Sequence, residues 1–282
     1  MHFCHEMSWC AAPCEVFSGP WDAPWLGPQG RTKVALVTAS NTKDRAQVFV
    51  DSILRLRPRL AVFDCDGTLW SGDAGERFFD WELREGLMSE EVERWARPRY
   101  ADYRAGEVPE EVMCGEMVTM HRGMIEADVQ RAATKFFDIH FYELIFPEMQ
   151  RLVKQLQGQG CDVWAVSSTN VWVIRAAMRH FGISSGHILA AEVEIRQGRV
   201  TDRVVRVPSG GGKVRAIREV IRKDPETAFG NSRWDQEMLE ISRHAVAVNP
   251  NPDLEKTARE RGWKVYFPDG AAPVGQVTIA PS

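Results

Sequence analysis

An α/β fold is predicted, a parallel sheet flanked by helices with a helical domain inserted after its first strand. From residue 59 to residue 268, short apolar runs of strand length alternate with stretches of helical periodicity. Such alternation implies a parallel sheet, because each crossover helix returns the chain to the same end of the next strand. About a hundred residues separate Asp66 from Ser167, where an ordinary strand-to-helix connection takes about 2–6. Something is therefore inserted there.

Residues 1–58 read as an N-terminal extension. Pro13, Pro20, Pro24 and Pro28 among Trp9, Trp21 and Trp25 argue against regular helix in residues 1–30. From Thr42 to Leu56 a helix is predicted, with Ala46, Phe49, Val50, Ile53 and Leu54 on one face. Leu60–Phe63 is the first buried strand. The insertion, residues 72–146, reads as four helices near Ala74–Gly86, Glu90–Tyr103, Pro109–Arg122 and Glu126–Phe137. Its Val112, Met113, Met117, Met120 and Met124 are assigned mainly to a core of its own, with substrate contact by the methionines as the lesser reading.

The sheet then resumes over residues 147–282, which with residues 59–71 make the core domain. The predicted order is helix Glu148–Gln157, strand Cys161–Val166, helix Asn170–Phe181, and a hairpin Ala191–Arg206 turning at Gln197-Gly198. Helix Lys213–Arg222, strand Ala228-Phe229, helix Trp234–Ser242, strand Ala245–Val248, helix Asp253–Arg261 and strand Lys264–Phe267 complete it.

A net charge of −4, from 35 basic and 39 acidic side chains, gives no electrostatic reason to expect nucleic acid or an anionic membrane as a partner. No apolar run approaches a membrane span, and the first residues lack the basic start and apolar core of a signal peptide. A cytoplasmic location is expected. The six cysteines show no paired spacing, so disulfides are not expected. Cys4, His5, Cys10 and Cys14 match no established zinc spacing. Oligomeric state is not legible.

The chemistry-bearing residues follow strands. Asp64-Cys65-Asp66-Gly67 comes directly after Leu60–Phe63, so two carboxylates emerge where a buried strand ends. A carboxylate is costly to bury without a partner or a metal. Val163–Val166 runs into Ser167-Ser168-Thr169-Asn170, whose hydroxyls and following helix N-terminus suit phosphate oxygens, or simply cap the helix. Ser209-Gly210-Gly211-Gly212-Lys213 opens a helix but fails as a P-loop, having Val207 and Val214 where that pattern needs Gly and Ser or Thr. A lysine in a first helical turn opposes the helix dipole, which hints at an anionic neighbour. Gly230-Asn231-Ser232-Arg233-Trp234-Asp235 closes the set.

Phe63-Asp64-Cys65-Asp66-Gly67-Thr68-Leu69, Ser167, Lys213 and Gly230-Asn231-x-x-x-Asp235 resemble, in that order, the four motifs of the haloacid dehalogenase superfamily, and the tail Ala245–Trp263 looks like its phosphoserine phosphatase-like branch. The resemblance implies a Rossmann-like core with a C1-type helical cap and a phosphatase acting on a small phosphorylated metabolite. It further implies Asp64 as nucleophile and Asp66 as general acid and base. Ser167, Ser168 and Lys213 would bind phosphate, and Mg2+ would be held by Asp64, Asp66, Asn231 and Asp235. Asn231 departs from the pattern, since an aspartate usually stands there, and fewer ligand charges imply weaker metal binding.

Asp73 lies where phosphoserine phosphatases carry a glutamate that reads the substrate amine, and it equally suits a helix N-terminus. Met117 aligns with their carboxylate-binding arginine. The serine-rich stretch also resembles phosphocholine and phosphoethanolamine phosphatases, for which Trp70, Phe78, Phe79 and Trp81 would offer aromatic faces to an ammonium group, although most of these side chains are assigned to packing of the cap. A scaffold that binds a phosphorylated ligand without turnover stays open beside these readings.

Overall fold

The sheet is built outward from β1 (Leu60–Phe63), whose four side chains are all buried and all apolar, so that both of its faces can be covered. β1 pairs in parallel with β2 (Asp162–Asn170) on one side and with β5 (Thr227–Gly230) on the other. β3 (Ile188–Arg196), β6 (His244–Val248) and β7 (Lys264–Tyr266) extend it in parallel, and β4 (Arg199–Arg206) closes one edge antiparallel to β3. The spatial order is β4-β3-β2-β1-β5-β6-β7. This computed structural model describes residues 45–271. Cys4, His5, Cys10, Cys14 and the three early tryptophans lie outside the described residues.

Helices α6 (Pro147–Gly158), α7 (Val171–Met178), α8 (Gly211–Ala216), α9 (Gln236–Glu240) and α10 (Pro252–Glu260) connect the strands. The hairpin turns at Gln197 and Gly198 as expected, both at positive φ. Two boundaries differ from expectation. β2 runs on to Asn170, with a register shift after Val166, because Asn170 rather than Ser168 or Thr169 caps α7: its Oδ1 accepts the N–H of Val173 at 2.9 Å. α8 widens into a π-type turn over Ile217–Ile221 and ends at Arg222, whose φ of 61° is left-handed, so no plain helix reaches that residue.

Helix α1 (residues 45–54) packs Phe49, Val50 and Ile53 into the main core. Phe49 stacks on Tyr266 with ring centroids 3.8 Å apart, so the segment leading into β1 is fastened to the far edge of the sheet.

Four helices lie between β1 and α6: α2 (Ala74–Arg84), α3 (Glu90–Arg104), α4 (Glu110–Thr119) and α5 (Glu126–His140). Their apolar side chains divide. Phe79, Leu83, Met88, Ala96, Val108, Met113 and Met120 form a local cluster. Phe78, Val129, Ala133, Phe136 and Phe137 instead join the cluster that holds Phe63, Trp172 and Val173 under the sheet. The assignment to a core of the insertion's own therefore holds for part of it only, because α5 presents its apolar face to α7. Val112, assigned there too, is 41% exposed.

The hairpin adds a second tie. Gly123 N–H donates to Val200 O at 2.8 Å, Val200 N–H to Met124 O at 3.0 Å, and Glu126 N–H to Gly198 O at 2.9 Å. No described helix is long and apolar enough to cross a membrane, and Cys65, Cys114 and Cys161 are free thiols.

Truncating the stack that fastens α1, Phe49→Ala, should cost about 3 kcal/mol of folding free energy; urea denaturation of the full chain reads it, and an unchanged midpoint would mean that α1 contributes nothing to the fold.

Candidate active site

Parallel strands deliver their C-terminal ends to one edge of the sheet, and the predicted site residues meet there. Asp64 follows β1 directly, its N–H donating to Phe229 O of β5 at 2.9 Å, and its side chain is 6% exposed. Lys213, in the first turn of α8, is 1% exposed. Its ammonium donates to Asp64 Oδ1 at 2.7 Å, Asp235 Oδ1 at 2.5 Å and Val166 O at 3.0 Å. The anionic neighbours expected for this lysine are thus two buried aspartates. Asp235 Oδ2 accepts from Asn231 N–H, Ser232 N–H and Ser232 Oγ, so one of its oxygens holds the turn that follows β5 while the other takes Lys213.

That turn needs two glycines. At Gly230 a Cβ would lie 2.5 Å from Asp235 Cβ. Gly67 has φ +72°, and a Cβ there would fall 1.9 Å from Asn231 Nδ2. Asn231 therefore rests directly on the backbone that carries Asp66.

Asp66 is fully engaged. Its Oδ1 accepts from Trp70 Nε1 at 2.8 Å and Ala74 N at 2.6 Å, and its Oδ2 accepts from Thr169 Oγ1 at 2.7 Å. Burial, with the charge of Asp73 behind it, pushes the carboxyl up to about 8 against those hydrogen bonds. Asp64 is pushed up to about 7 by burial and by Asp235, with Lys213 and the Thr68 hydroxyl at 2.9 Å opposing. Burial works against the charge on Lys213, but Asp235 and Asp64 outweigh it and raise its pKa.

A cavity of about 330 Å3 opens above these groups. Ser167, Ser168, Asp73 and Asn231 all line it. Asp73 does two things, since it also caps α2 by accepting Glu76 N–H at 2.8 Å. Met113 and Met117 line the cavity while also packing in the local cluster of the inserted helices.

The assignment of the aromatic side chains to packing is borne out. Trp70, Phe78 and Phe79 are buried, Trp81 packs against Phe78 and Phe136, and none of the four lines the cavity. The apolar face of α2 is consumed by packing, and the aromatic lining of the cavity comes from Tyr100 and Tyr103 of α3 and from Trp234. Sequence reasoning also missed Thr68, Thr169 and Glu110. The first two sit inside recognised motifs, whereas Glu110 is separated from its partner Ser209 by 99 positions and carries no local signal.

Among the described residues no three His, Cys, Asp or Glu side chains cluster as a metal site. The donors gathered here are the Asp64 and Asp235 carboxylates, the Asn231 amide and the Asp66 backbone carbonyl. An all-oxygen set suits a hard divalent cation.

Comparison with known proteins agrees with this geometry. The model of the haloacid dehalogenase-like hydrolase family matches residues 61–240. The chain belongs to that family. This hydrolase is 28% identical over 221 residues to a histidinol-phosphatase of Neisseria meningitidis, covering 73% of its own length and 97% of the relative's. It is also 28% identical over 149 residues to a phosphoserine phosphatase of Mycobacterium tuberculosis, covering 51% of this chain and 48% of that one. A solved structure of a Bordetella pertussis protein of unknown function superposes with TM-score 0.66 at 25% identity, covering 74% of this chain and 97% of that one. Both curated relatives are named as phosphatases.

Lys213→Met should lower stability by about 3 kcal/mol at pH 8, because it leaves two buried carboxylates without their cation. The deficit should shrink at pH 6: without the ammonium, the folded-state pKa of Asp64 rises further above its unfolded value of about 3.9, so extra stability is lost as pH increases. Denaturation at the two pH values checks this, and an equal deficit at both would contradict it.

Proposed function

We propose that this hydrolase is a magnesium-dependent phosphomonoesterase that acts through an aspartyl-phosphate on Asp64, with a small amine-bearing phosphorylated metabolite as substrate. The observation that carries the reading is the position of Asp64 on the cavity floor, clamped by Lys213 and Thr68 next to a fully hydrogen-bonded Asp66.

Asp64 attacks phosphorus in line, and the bond from phosphorus to the ester oxygen breaks as the aspartyl-phosphate forms. Asp66 gives its proton to the departing alkoxide, and a carboxyl raised to about 8 holds that proton at neutral pH. The same carboxylate then takes a proton from the water that attacks the acyl-phosphate. Ser167, Ser168 and Lys213 bind the transferring oxygens. Asp64, the Asp66 carbonyl, Asn231 and Asp235 would hold the magnesium ion, Asp235 through the oxygen it shares with Lys213 or through water. When bound, the ion offsets the repulsion between Asp64 and the phosphate dianion.

The lining supports a cationic substrate. Asp73, Glu76 and Glu110 face the cavity beyond the catalytic aspartates, and among the described lining residues Lys213 is the one cation. Met117 on the wall offers nothing to a carboxylate, which counts against phosphoserine itself. Phosphate esters of amino alcohols fit better. Histidinol phosphate, the substrate implied by the name of the Neisseria relative, carries an amine and an imidazole and no carboxylate; phosphoethanolamine and phosphocholine carry one cationic group each.

Release of inorganic phosphate from p-nitrophenyl phosphate tests the core reading. Turnover should require magnesium, and Asp64→Asn should lower it by roughly 10³-fold or more while leaving the folded state intact; substantial activity in that variant would overturn the nucleophile. Asn231→Asp should lower the magnesium concentration for half-activation by roughly tenfold, and an unchanged titration would remove Asn231 from the ligand set.

A further inference from the structure

We infer that Glu110 is a specificity-determining residue that reads a second cationic or N–H donor group on the substrate, from a different helix of the cavity lining than the one Asp73 caps. The inference rests on the phosphatase reading above and narrows its substrate class to phosphate esters of amino alcohols that carry a further basic nitrogen.

Glu110 stands in the first turn of α4, 7% exposed, and lines the cavity. Its Oε1 accepts from Ser209 Oγ at 2.7 Å. Among the described residues no Lys, Arg or His side chain reaches ion-pair distance of it, whereas neighbouring carboxylates do find cations: Glu111 with Arg215 at 3.1 Å, Glu116 with Arg99 at 2.7 Å, and Glu76 with Arg104 at 3.5 Å. A buried carboxylate served mainly by neutral hydroxyls is under-compensated, and a ligand cation is what completes it.

The second lining carboxylate, Asp73, caps α2. It already spends one oxygen on the N–H of Glu76. Tyr103 of α3 lines the same cavity. The cavity therefore offers two carboxylates carried at the starts of separate helices, with a tyrosine ring in the same lining. A single ammonium group meets one carboxylate; a second nitrogen engages the other.

The test uses the full chain with magnesium and three substrates: histidinol phosphate, with an amine and an imidazole; phosphoethanolamine, with an amine alone; and p-nitrophenyl phosphate, with neither. Wild-type turnover of the aryl ester is the control, and its absence would strike the phosphatase reading rather than Glu110. The wild type should prefer histidinol phosphate to phosphoethanolamine in kcat/KM, and Glu110→Gln should cut that preference at least tenfold, chiefly through KM, with Glu110→Asp restoring part of it. Ser209→Ala removes the hydrogen bond and keeps the charge, so it should retain the preference within threefold. No wild-type preference, a preference untouched by Glu110→Gln, or an equal loss of preference in Ser209→Ala would each overturn the inference, the last by reducing Glu110 to a structural latch.

Discussion

The buried ammonium of Lys213 is the constraint on which the rest of the site depends. Asp64 follows β1 and Asp235 lies in the turn after β5, two strands that are adjacent in the sheet, and both carboxylates lie out of water. Two such charges cannot be kept together without a cation between them. Lys213 supplies it, and its third hydrogen bond, to the Val166 carbonyl, ties the arrangement to β2. One side chain thereby fixes the ends of β1, β2 and β5 relative to each other.

Around that centre the neutral donors decide which carboxylate does what. Asp64 keeps a lysine and a threonine, which favour its charged form, while Asp66 is held by an indole, a backbone amide and a threonine hydroxyl with no cation in contact. Two aspartates two residues apart thus receive different proton affinities from their surroundings. The pattern suits one as nucleophile and the other as proton carrier.

The inserted helices are less separate from the sheet than a lid on two hinges would be. α5 shares the main apolar cluster, the hairpin β3–β4 hydrogen-bonds to the α4–α5 connection, and Glu110 reaches Ser209 across the cavity. Any opening of the cavity must break polar contacts at the hairpin as well as apolar ones. Side chains of α2, α3 and α4 contribute to its walls.

Much of this was legible in the chain itself. Alternating apolar runs fix the sheet and its edge, since only strands buried on both faces read as unbroken Val, Ala, Leu and Phe, and the motif residues follow those runs directly. Asp64, Asp66, Ser167, Lys213, Asn231 and Asp235 could be named because their spacing from a strand end is local information. The long-range pairings could not. That Lys213 bridges two aspartates, that Thr169 holds Asp66 rather than capping α7, that the cavity's aromatic lining comes from Tyr100, Tyr103 and Trp234, and that Glu110 meets Ser209 are all set by how helices rotate and pack once the sheet has formed. Periodicity says which face of a helix is apolar, but the neighbour that covers that face exists only in three dimensions.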